Sequence, residues 1–251
     1  MEEGLSADGI HNRVSETLIS FSAGVTIGMF AKETKILFQG DSLTDGGRGR
    51  NDDLNHILGH GYVYLIASRL TADRPDLNLH FHNRGCSGNT VLDLHARWKE
   101  DALDMIPDVI SILIGVNDVC AELYGNVGVA MSKYEAAYRL ILSATLAALP
   151  NVKLVLCEPF ILPVGQLKAR WPEHRAKMDR CRGVIERLSI EFNAVLVRSQ
   201  DLFDAASADS SPEYWMWDGI HPMPAGHELL ARAWLAATCP ELPEVRRGAL
   251  S

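Results

Sequence analysis

The sequence of 251 residues lacks an excess of positive charge, and it lacks closely paired cysteines. Lys and Arg number 24 against 32 Asp and Glu, which gives a formal net charge of −8. Because nucleic-acid binders normally carry a basic face, we expect no nucleic-acid partner. The five cysteines are scattered without a C-x-x-C pair, which predicts free, mostly buried thiols in a reducing compartment.

An apolar run long enough to span a membrane is also lacking. The apolar stretch LISFSAGVTIGMFA near the N-terminus has about 14 residues, whereas a spanning helix needs ~20. The segment before it, MEEGLSADGIHNR, is acidic overall, and no small-x-small cleavage site follows. These features argue against a signal peptide, so we expect a cytoplasmic protein with no membrane contact.

Residues 1–31 are predicted to form an N-terminal extension. The alternation around Ala-Gly in TLISFSAGVTIGMF is typical of a strand pair or hairpin. Its apolar surface needs burial against the domain or a neighbouring subunit, so we expect a homo-oligomer. Met29 could instead be an alternative start. Residues 32–251 are predicted as one domain with a sizeable core.

Apolar runs alternate with helical stretches along that domain. The alternation predicts right-handed βαβ crossovers and a parallel sheet covered by helices on both faces, a three-layer α/β/α fold. Five strands suit the doubly wound, flavodoxin-like order 2-1-3-4-5, which has its ligand crevice at the carboxyl ends of strands 1 and 3. The predicted strands are 35–39, 79–83, 108–115, 152–159 and 194–199.

Four helices are predicted between and after these strands, over 61–70, 131–150, 172–192 and 224–238. Ser132 and Glu135 have the spacing of a capping box at the start of the second helix, and Pro150 would end it. Pro172 stands where a first helical position is expected.

Polar residues that could take part in catalysis follow the predicted strands. Ser42 lies in GDSLTD after strand 1, Gly88 in NRGCSGNT after strand 2, and Asn117 in GVND after strand 3. Asp218 and His221 lie in WDGIHP, ahead of the last helix. A histidine can take the proton of a serine hydroxyl, and a carboxylate can orient that histidine. The N–H groups of Ser42 and Gly88 and the Asn117 amide could stabilise an oxyanion.

Each of these residues alone is common in ordinary turns and caps. Together, GDSLTD, NRGCSGNT, GVND and DGIHP resemble the four sequence blocks of the SGNH (GDSL-type) hydrolase superfamily, in the family's order, from about Lys35 to the last helix. The resemblance implies metal-free and cofactor-free ester hydrolysis through an acyl-enzyme. It implies a nucleophile at Ser42, an orienting acid at Asp218 and a base at His221, with oxyanion donors at Gly88 and Asn117.

Longer segments, GHGYVYLIASRL and AGHELLARAW among them, are similar to bacterial acetylxylan esterases of that superfamily. The similarity implies a small acylated carbohydrate as substrate, first an acetylated xylo-oligosaccharide. Relatives on the same machinery act on other esters, so a lysophospholipase, a thioesterase and a general short-chain carboxylesterase remain alternatives. A non-catalytic carbohydrate binder is a third class, and the intact set of Ser42, Asp218 and His221 argues against it.

Other residues near the motifs have two readings each. Asp41, Arg48, Trp215 and Trp217 are candidates for substrate contacts, but an arginine in GGRGR can also belong to a solvated loop and the tryptophans can pack beneath the loop. His56 and His60 have a metal-like spacing, but no accompanying Glu motif, so no metal site is predicted. The glycine-rich loop lacks the order of a P-loop. Three further residues are expected to order loops or the second crossover: Asp45, Arg97 and Asp118.

Overall fold

A computed structural model describes residues 28–51, 53–124 and 127–242 of the chain. Its sheet has five parallel strands in the order β2-β1-β3-β4-β5, which confirms the predicted doubly wound α/β fold. The strands are β1 (Lys35–Gly40), β2 (His80–Asn83), β3 (Val109–Leu113), β4 (Lys153–Cys157) and β5 (Val195–Val197). All five residues of β3 are buried, as expected for a central strand covered on both faces.

Ten α-helices are present in the described residues. They are α1 (Ser42–Asp45), α2 (Tyr62–Asp73), α3 (Val91–Ala96), α4 (Trp98–Asp101), α5 (Val116–Cys120), α6 (Met131–Ala148), α7 (Trp171–Glu191), α8 (Ser199–Asp209), α9 (Pro212–Trp215) and α10 (Pro224–Thr238). Short 3₁₀ segments lie at Pro75–Leu77, Leu103–Met105, Ala121–Tyr124 and Gly165–Arg170. The closing helix has its predicted bounds, whereas the short helices α1, α3 and α5 begin directly at the motifs and were not predicted.

Aromatic side chains fill the layer between the sheet and the α2–α10 pair. The rings of Phe38 and Trp234 lie 5.3 Å apart, and Tyr62 meets Phe38 edge-on at 6.0 Å. The indole N–H of Trp234 donates to Ser111 Oγ on β3 at 2.9 Å, so the large ring is buried with its polar atom satisfied. Helices α3, α6 and α7 cover the opposite face, where α6 contacts both of its neighbours.

The first described residues pack on the same aromatic layer. Phe30 is fully buried and stacks on Trp234 with ring centroids 5.9 Å apart. The N–H of Met29 donates to the carbonyl of Thr238 at the end of α10, at 3.3 Å. Phe30 is therefore part of the core, although it belongs to the segment 1–31 of the predicted extension. The hairpin predicted for that segment falls on residues that lie almost wholly outside the described ones.

The capping box predicted at Ser132 and Glu135 is wrong. Helix α6 begins at Met131, as predicted, but its N-cap is Ala130 without a side-chain bond, and Ser132 already lies inside the helix. The preceding segment is tied to α5, because the N–H of Val129 donates to the carbonyl of Asp118 at 3.1 Å. This tether sets the entry of the helix, so Glu135 instead forms ion pairs with Arg139 and Arg187.

The cysteines are free thiols, as predicted from their spacing. Cys86 is half-buried, and the other four are buried: Cys120, Cys157, Cys181 and Cys239. Among the described helices, none combines the length and the apolar character that crossing a bilayer requires.

Candidate active site

Ser42 lies where β1 ends, next to the central strand β3. It is the first residue of α1, and Asp41 caps that helix by accepting the Leu43 N–H at 3.1 Å. The strand, the cap and the four-residue helix make a tight turn, which leaves the Ser42 side chain half-buried at the carboxyl edge of the sheet. This is the switch point of the doubly wound order, where a ligand crevice is expected.

Asp218 and His221 lie on a compact loop between α9 and α10. An antiparallel bridge joins Met216 to Pro222 across this loop, and the N–H of Trp217 donates to the His221 carbonyl at 3.1 Å. One carboxylate oxygen of Asp218 accepts the N–H groups of Ile220 and His221, each at 2.8 Å. The other oxygen is thereby left to face the imidazole.

Gly219 makes this turn possible. Its φ is +92°, which side chains rarely adopt, and a Cβ there would lie 2.6 Å from the Leu162 carbonyl oxygen. The position therefore needs glycine for both the backbone conformation and the close approach.

The three side chains form a continuous hydrogen-bonded relay. Ser42 Oγ lies 2.9 Å from His221 Nε2, and His221 Nδ1 lies 2.7 Å from Asp218 Oδ2. Both distances are within hydrogen-bonding range, across a sequence separation of 179 residues for the serine and histidine. Such a geometry can move a proton from a hydroxyl to an imidazole whose tautomer a carboxylate fixes.

Asp218 and His221 shift each other's pKa in opposite directions. Burial alone would raise the pKa of Asp218, but the hydrogen bonds from His221 and the main chain outweigh it and lower that pKa. The hydrogen bond to Asp218 is the main cause that raises the pKa of His221, against the opposing effect of burial. The imidazole is therefore a stronger base than a free histidine.

Gly88 and Asn117 come together beside α3 and α5. Gly88 has φ +82° and lies in an exposed turn, where an added Cβ would meet no atom within 4 Å. One N–H of the Asn117 amide donates to the carbonyl of Asn89 at 3.0 Å, so the loop after β2 is bonded to the helix after β3. The amide has a second N–H, for which the described residues supply no further acceptor.

Comparisons with known proteins identify the family of the chain. Residues 38–229 match the GDSL-like Lipase/Acylhydrolase family. The chain belongs to this family. It is 38% identical over 208 residues to an acetylxylan esterase from Geobacillus stearothermophilus, a match that covers 80% of this chain and 92% of the relative.

Solved structures in the same family have the same fold. A protein described as a GDSL-like lipase from Parabacteroides merdae is 41% identical with a TM-score of 0.78, covering 85% of this chain and 99% of its own. The Geobacillus acetylxylan esterase Axe2 has a TM-score of 0.75 at 34% identity, with coverages of 84% and 96%. With these relatives, the chain is a carboxylic ester hydrolase of the SGNH fold.

Two arginines of the esterase support the loops around Ser42. Arg48 donates to the Gly85 carbonyl at 2.9 Å, and Arg50 binds both carboxylate oxygens of Asp45, at 3.1 and 2.7 Å. Arg48, a candidate substrate contact, is thus engaged with the neighbouring loop.

Arg97 locks the crossover after β2, as expected from its position. Its guanidinium donates to the carbonyls of Gly40 and Arg84 and to the side chain of Asn89, at 3.2, 2.8 and 2.7 Å. It therefore joins the end of β1 to the loop that carries Gly88.

The remaining candidates for substrate contact differ in exposure. Asp41 is only 1% exposed and holds the Leu43 N–H, a position that does not fit a substrate contact. Trp215 is half-buried and donates its indole N–H to the Ala206 carbonyl at 3.1 Å, so it packs beneath the loop. Trp217 is 67% exposed beside Asp218 and stays a candidate.

Two residues of the site were not predicted. The buried amide of Asn83 donates to the carbonyls of Thr44 and Leu58, at 2.6 and 2.9 Å, and accepts the Gly85 N–H at 2.9 Å. His227, in the first turn of α10, is kept neutral by burial, which lowers its pKa to about 4. The asparagine opens the NRGCSGNT block and could have been noticed as a polar residue at a strand end.

Buried charge also surrounds the site. Burial raises the pKa of Asp41 and of Asp118 to about 7 in each case, and Asp41 contributes to the raised pKa of His221. In the described part of the chain, no three His, Cys, Asp or Glu side chains are grouped closely enough to hold a metal ion.

Proposed function

We propose that this chain is a serine esterase that removes acetyl groups from acetylated xylo-oligosaccharides or related sugars. The observation that carries the proposal is the relay in which Ser42 Oγ lies 2.9 Å from His221 Nε2, and His221 Nδ1 lies 2.7 Å from Asp218 Oδ2. In this proposal Ser42 is the nucleophile, His221 the general base and Asp218 the orienting acid.

Acylation begins when Ser42 Oγ attacks the acetyl carbonyl carbon and its proton passes to His221 Nε2. The carbonyl π bond opens to an oxyanion, which accepts hydrogen bonds from the N–H groups of Ser42 and Gly88 and from the Asn117 amide. The oxyanion then collapses, the bond to the sugar oxygen breaks, and His221 returns the proton to that oxygen. The sugar leaves as an alcohol, and the acetyl group stays on Ser42.

Deacylation repeats the sequence with water. His221 removes a proton from the water, whose oxygen attacks the acetyl-serine carbonyl, and the second oxyanion collapses to release acetate. The proton on His221 returns to Ser42 Oγ. Asp218 stays ionised throughout and stabilises the imidazolium that forms in each half, in agreement with its lowered pKa.

The related enzyme from Geobacillus supports both the roles and the substrate. Structures described as catalytic mutants of that acetylxylan esterase replace a serine, an aspartate and a histidine. The intervals between those three residues are the same as the intervals between Ser42, Asp218 and His221. A shared acetyl-sugar substrate is the simplest extension of this likeness, given the 38% identity.

Acetate release from acetylated xylo-oligosaccharides by the wild-type chain and by Ser42→Ala tests the proposal. Removing the nucleophile of such a set costs about 10⁶-fold in kcat, so the variant should be inactive at any practical concentration. A fluorophosphonate should label the wild type at Ser42 and leave the variant unlabelled. Equal activity of the two proteins would reject Ser42 as the nucleophile, and failure to label Ser42 would favour a non-catalytic binder.

An acyl hydrolase of lipids or thioesters is the second candidate, favoured by the lipase named in the family description and in the Parabacteroides protein. A panel of p-nitrophenyl esters from acetate to decanoate separates the two. We expect acetate to be preferred, and a preference for octanoate or longer chains would favour the lipid substrate.

Three expectations about the whole protein stay predictions. For a homo-oligomer, light scattering should give a molar mass that is a multiple of the 27.6 kDa of one chain. Removing residues 1–27, which leaves the core residue Phe30 in place, should weaken that assembly if the extension packs on a neighbouring subunit. A cytoplasmic location would be contradicted by mature protein in the medium.

A further inference from the structure

The Gly88 turn has little packing of its own. It is exposed, and an added Cβ at Gly88 would meet no atom within 4 Å. A single main-chain bond closes it, from the Asn89 N–H to the Cys86 carbonyl at 3.1 Å. An oxyanion donor must keep its direction during the reaction, and a turn without packing needs other contacts to fix it.

A buried carboxylate holds the turn from the side that precedes Gly88. Asp45 is 4% exposed, and its Oδ2 accepts both the N–H and the hydroxyl of Ser87, at 3.1 and 2.9 Å. Arg50 binds both oxygens of the same carboxylate. The hydrogen bonds from Arg50 and Ser87 outweigh burial and lower the pKa of Asp45, so it acts as an ionised acceptor.

A second buried carboxyl holds the side that follows Gly88. Asp118 is 2% exposed, and its two oxygens lie 3.1 and 3.2 Å from the N–H of Val91. The preceding residue, Asn117, donates to the Asn89 carbonyl. The segment that follows Gly88 is therefore held at two points. Asn117 donates to Asn89, and Asp118 accepts from Val91.

We propose that Asp45 and Asp118 are positioning residues, which fix the Gly88 turn from its two sides so that the Gly88 N–H is aimed at the oxyanion formed on Ser42. This inference rests on the proposed function, because it assigns Gly88 a donor's part in ester hydrolysis. Neither carboxyl touches the substrate. Both act through the main chain of residues 87–91, and Asp45 does so from the helix that Ser42 begins.

The expected effect is on the transition state and not on substrate binding. Losing an oxyanion donor costs about 10²–10³-fold in kcat, and a donor displaced by an ångström can cost ~10²-fold. We expect Asp118→Ala to lower kcat roughly 10- to 100-fold with little change in KM. Asp118→Asn keeps an oxygen acceptor for the Val91 N–H, so it should retain kcat within about threefold.

Asp93 supplies a matched control at the same helix end. It is exposed, and its carboxylate accepts the N–H and hydroxyl of Thr90, at 2.8 and 2.7 Å, in the capping box of α3. Like Asp118→Ala, Asp93→Ala removes an acceptor from the start of α3. It removes an exposed carboxylate, however, and leaves the buried Asp118 in place. We expect its kcat to stay within about twofold of wild type.

A second variant removes the donor instead of the acceptor. Val91 is the first residue of α3, where proline is well tolerated, and Thr90 before it has the extended conformation that precedes proline readily. Val91→Pro therefore deletes the N–H that Asp118 accepts without requiring a different backbone. It should show the same loss of kcat at unchanged KM, even if Asp118→Ala fails to fold.

The experiment measures kcat and KM on p-nitrophenyl acetate for wild type, the four variants above and Asp45→Ala, with thermal unfolding recorded for each. Loss of kcat in Asp118→Ala, Val91→Pro and Asp45→Ala, with Asp118→Asn and Asp93→Ala near wild type, supports the proposal. Wild-type kcat in Val91→Pro overturns it, as does an equal loss in Asp93→Ala. An inactive wild type, or an active Ser42→Ala, would instead reject the proposed function.

Discussion

The serine half and the histidine half of the site are held in different ways. The loops around Ser42 depend on contacts between distant parts of the chain, such as Asn83 with Thr44 and Arg97 with Gly40, which are 39 and 57 residues apart. The loop of Asp218 and His221 depends mainly on local bonds, because its bridge and its carboxylate bonds lie within residues 216–222. A main-chain bond from the Leu162 N–H to the Gly219 carbonyl, at 3.0 Å, anchors the loop to the segment after β4.

This difference separates the residues that act in the reaction from the residues that stabilise the fold. A local loop can present an acid and a base with few long-range contacts, so changes in it should alter the reaction more than the free energy of unfolding. The serine half combines both tasks, since the residues that aim its donors also join β1, β2 and β3. Substitutions that affect only one half can therefore distinguish the two.

Removing the base has the largest expected effect on the local half. His221→Ala should lower kcat by about 10⁶-fold, because a serine without its base cannot lose its proton. The free energy of unfolding should change by less than about 1 kcal/mol, as the side chain is only half-buried. Acetate release and urea unfolding measure the two quantities. A large decrease in the free energy of unfolding would show that the loop also stabilises the fold.

Removing the charge of the orienting acid should have the next largest effect. Asp218→Asn keeps an oxygen for the N–H groups of Ile220 and His221, but it no longer fixes the imidazole tautomer, and kcat should fall about 10⁴-fold. The comparison with His221→Ala is informative, since the two changes act on one relay and should not add. A double variant much less active than His221→Ala alone would argue against a shared relay.

The sequence is most informative where the structure is local. Asp218 and His221 could be paired because the two residues that act together are three positions apart. The closing helix was predicted with its bounds from Pro224 and its apolar stripe. The parallel sheet is predicted from apolar runs that alternate with helical stretches, and five such strands suit the doubly wound order.

The contacts between distant segments were harder to predict. The roles of Asn83 depend on carbonyls 25 and 39 residues away, which no spacing rule relates to it. The wrong capping box at Ser132 has the same origin, because a bond from Val129 to α5 decides where α6 begins. No sequence pattern marks His227, because its burial comes from the packing of α10 against α2, where its ring approaches Gly61.

Truncating the amide donor tests the serine half. Asn117→Ala should lower kcat about 10²–10³-fold with KM little changed, because an oxyanion donor acts only in the transition state. The same change removes the bond to the Asn89 carbonyl. Asn117→Asp keeps the size of the side chain but also loses both N–H groups, so it should lose at least as much kcat as Asn117→Ala, which would show that the donors and not the side-chain volume matter. Equal activity of Asn117→Ala and wild type would remove Asn117 from the reaction.

Removing Arg97 should affect stability more than chemistry. Its guanidinium bonds two carbonyls and the Asn89 side chain while largely buried, so Arg97→Ala should lower the free energy of unfolding by about 3 kcal/mol. We expect kcat to fall less than about tenfold. Lys99→Ala is the control, because its ion pair with Asp104 is exposed and should contribute under about 1 kcal/mol. Urea unfolding gives both values.

The smallest expected effect is a shift in the pH profile of the local half. His221 must be neutral to act as base, and its pKa is raised above 6.5, chiefly by the hydrogen bond to Asp218 and also by the charge of Asp41. The acid limb of kcat/KM should therefore lie above pH 6.5, with activity rising as His221 loses its proton.

The stability contributed by the same pair changes in the opposite direction. A raised pKa in the folded state stabilises the fold fully below the unfolded pKa of 6.5, and this contribution is lost as the pH rises through the folded pKa. As the pH rises through the folded pKa of His221, activity therefore increases while this contribution to stability is lost. In Asp218→Asn the acid limb should move to lower pH, because the main cause of the raised pKa is gone. An unmoved limb in the residual activity would assign the titration to another group, and Asp41, whose pKa is about 7, would be the first to test by Asp41→Asn.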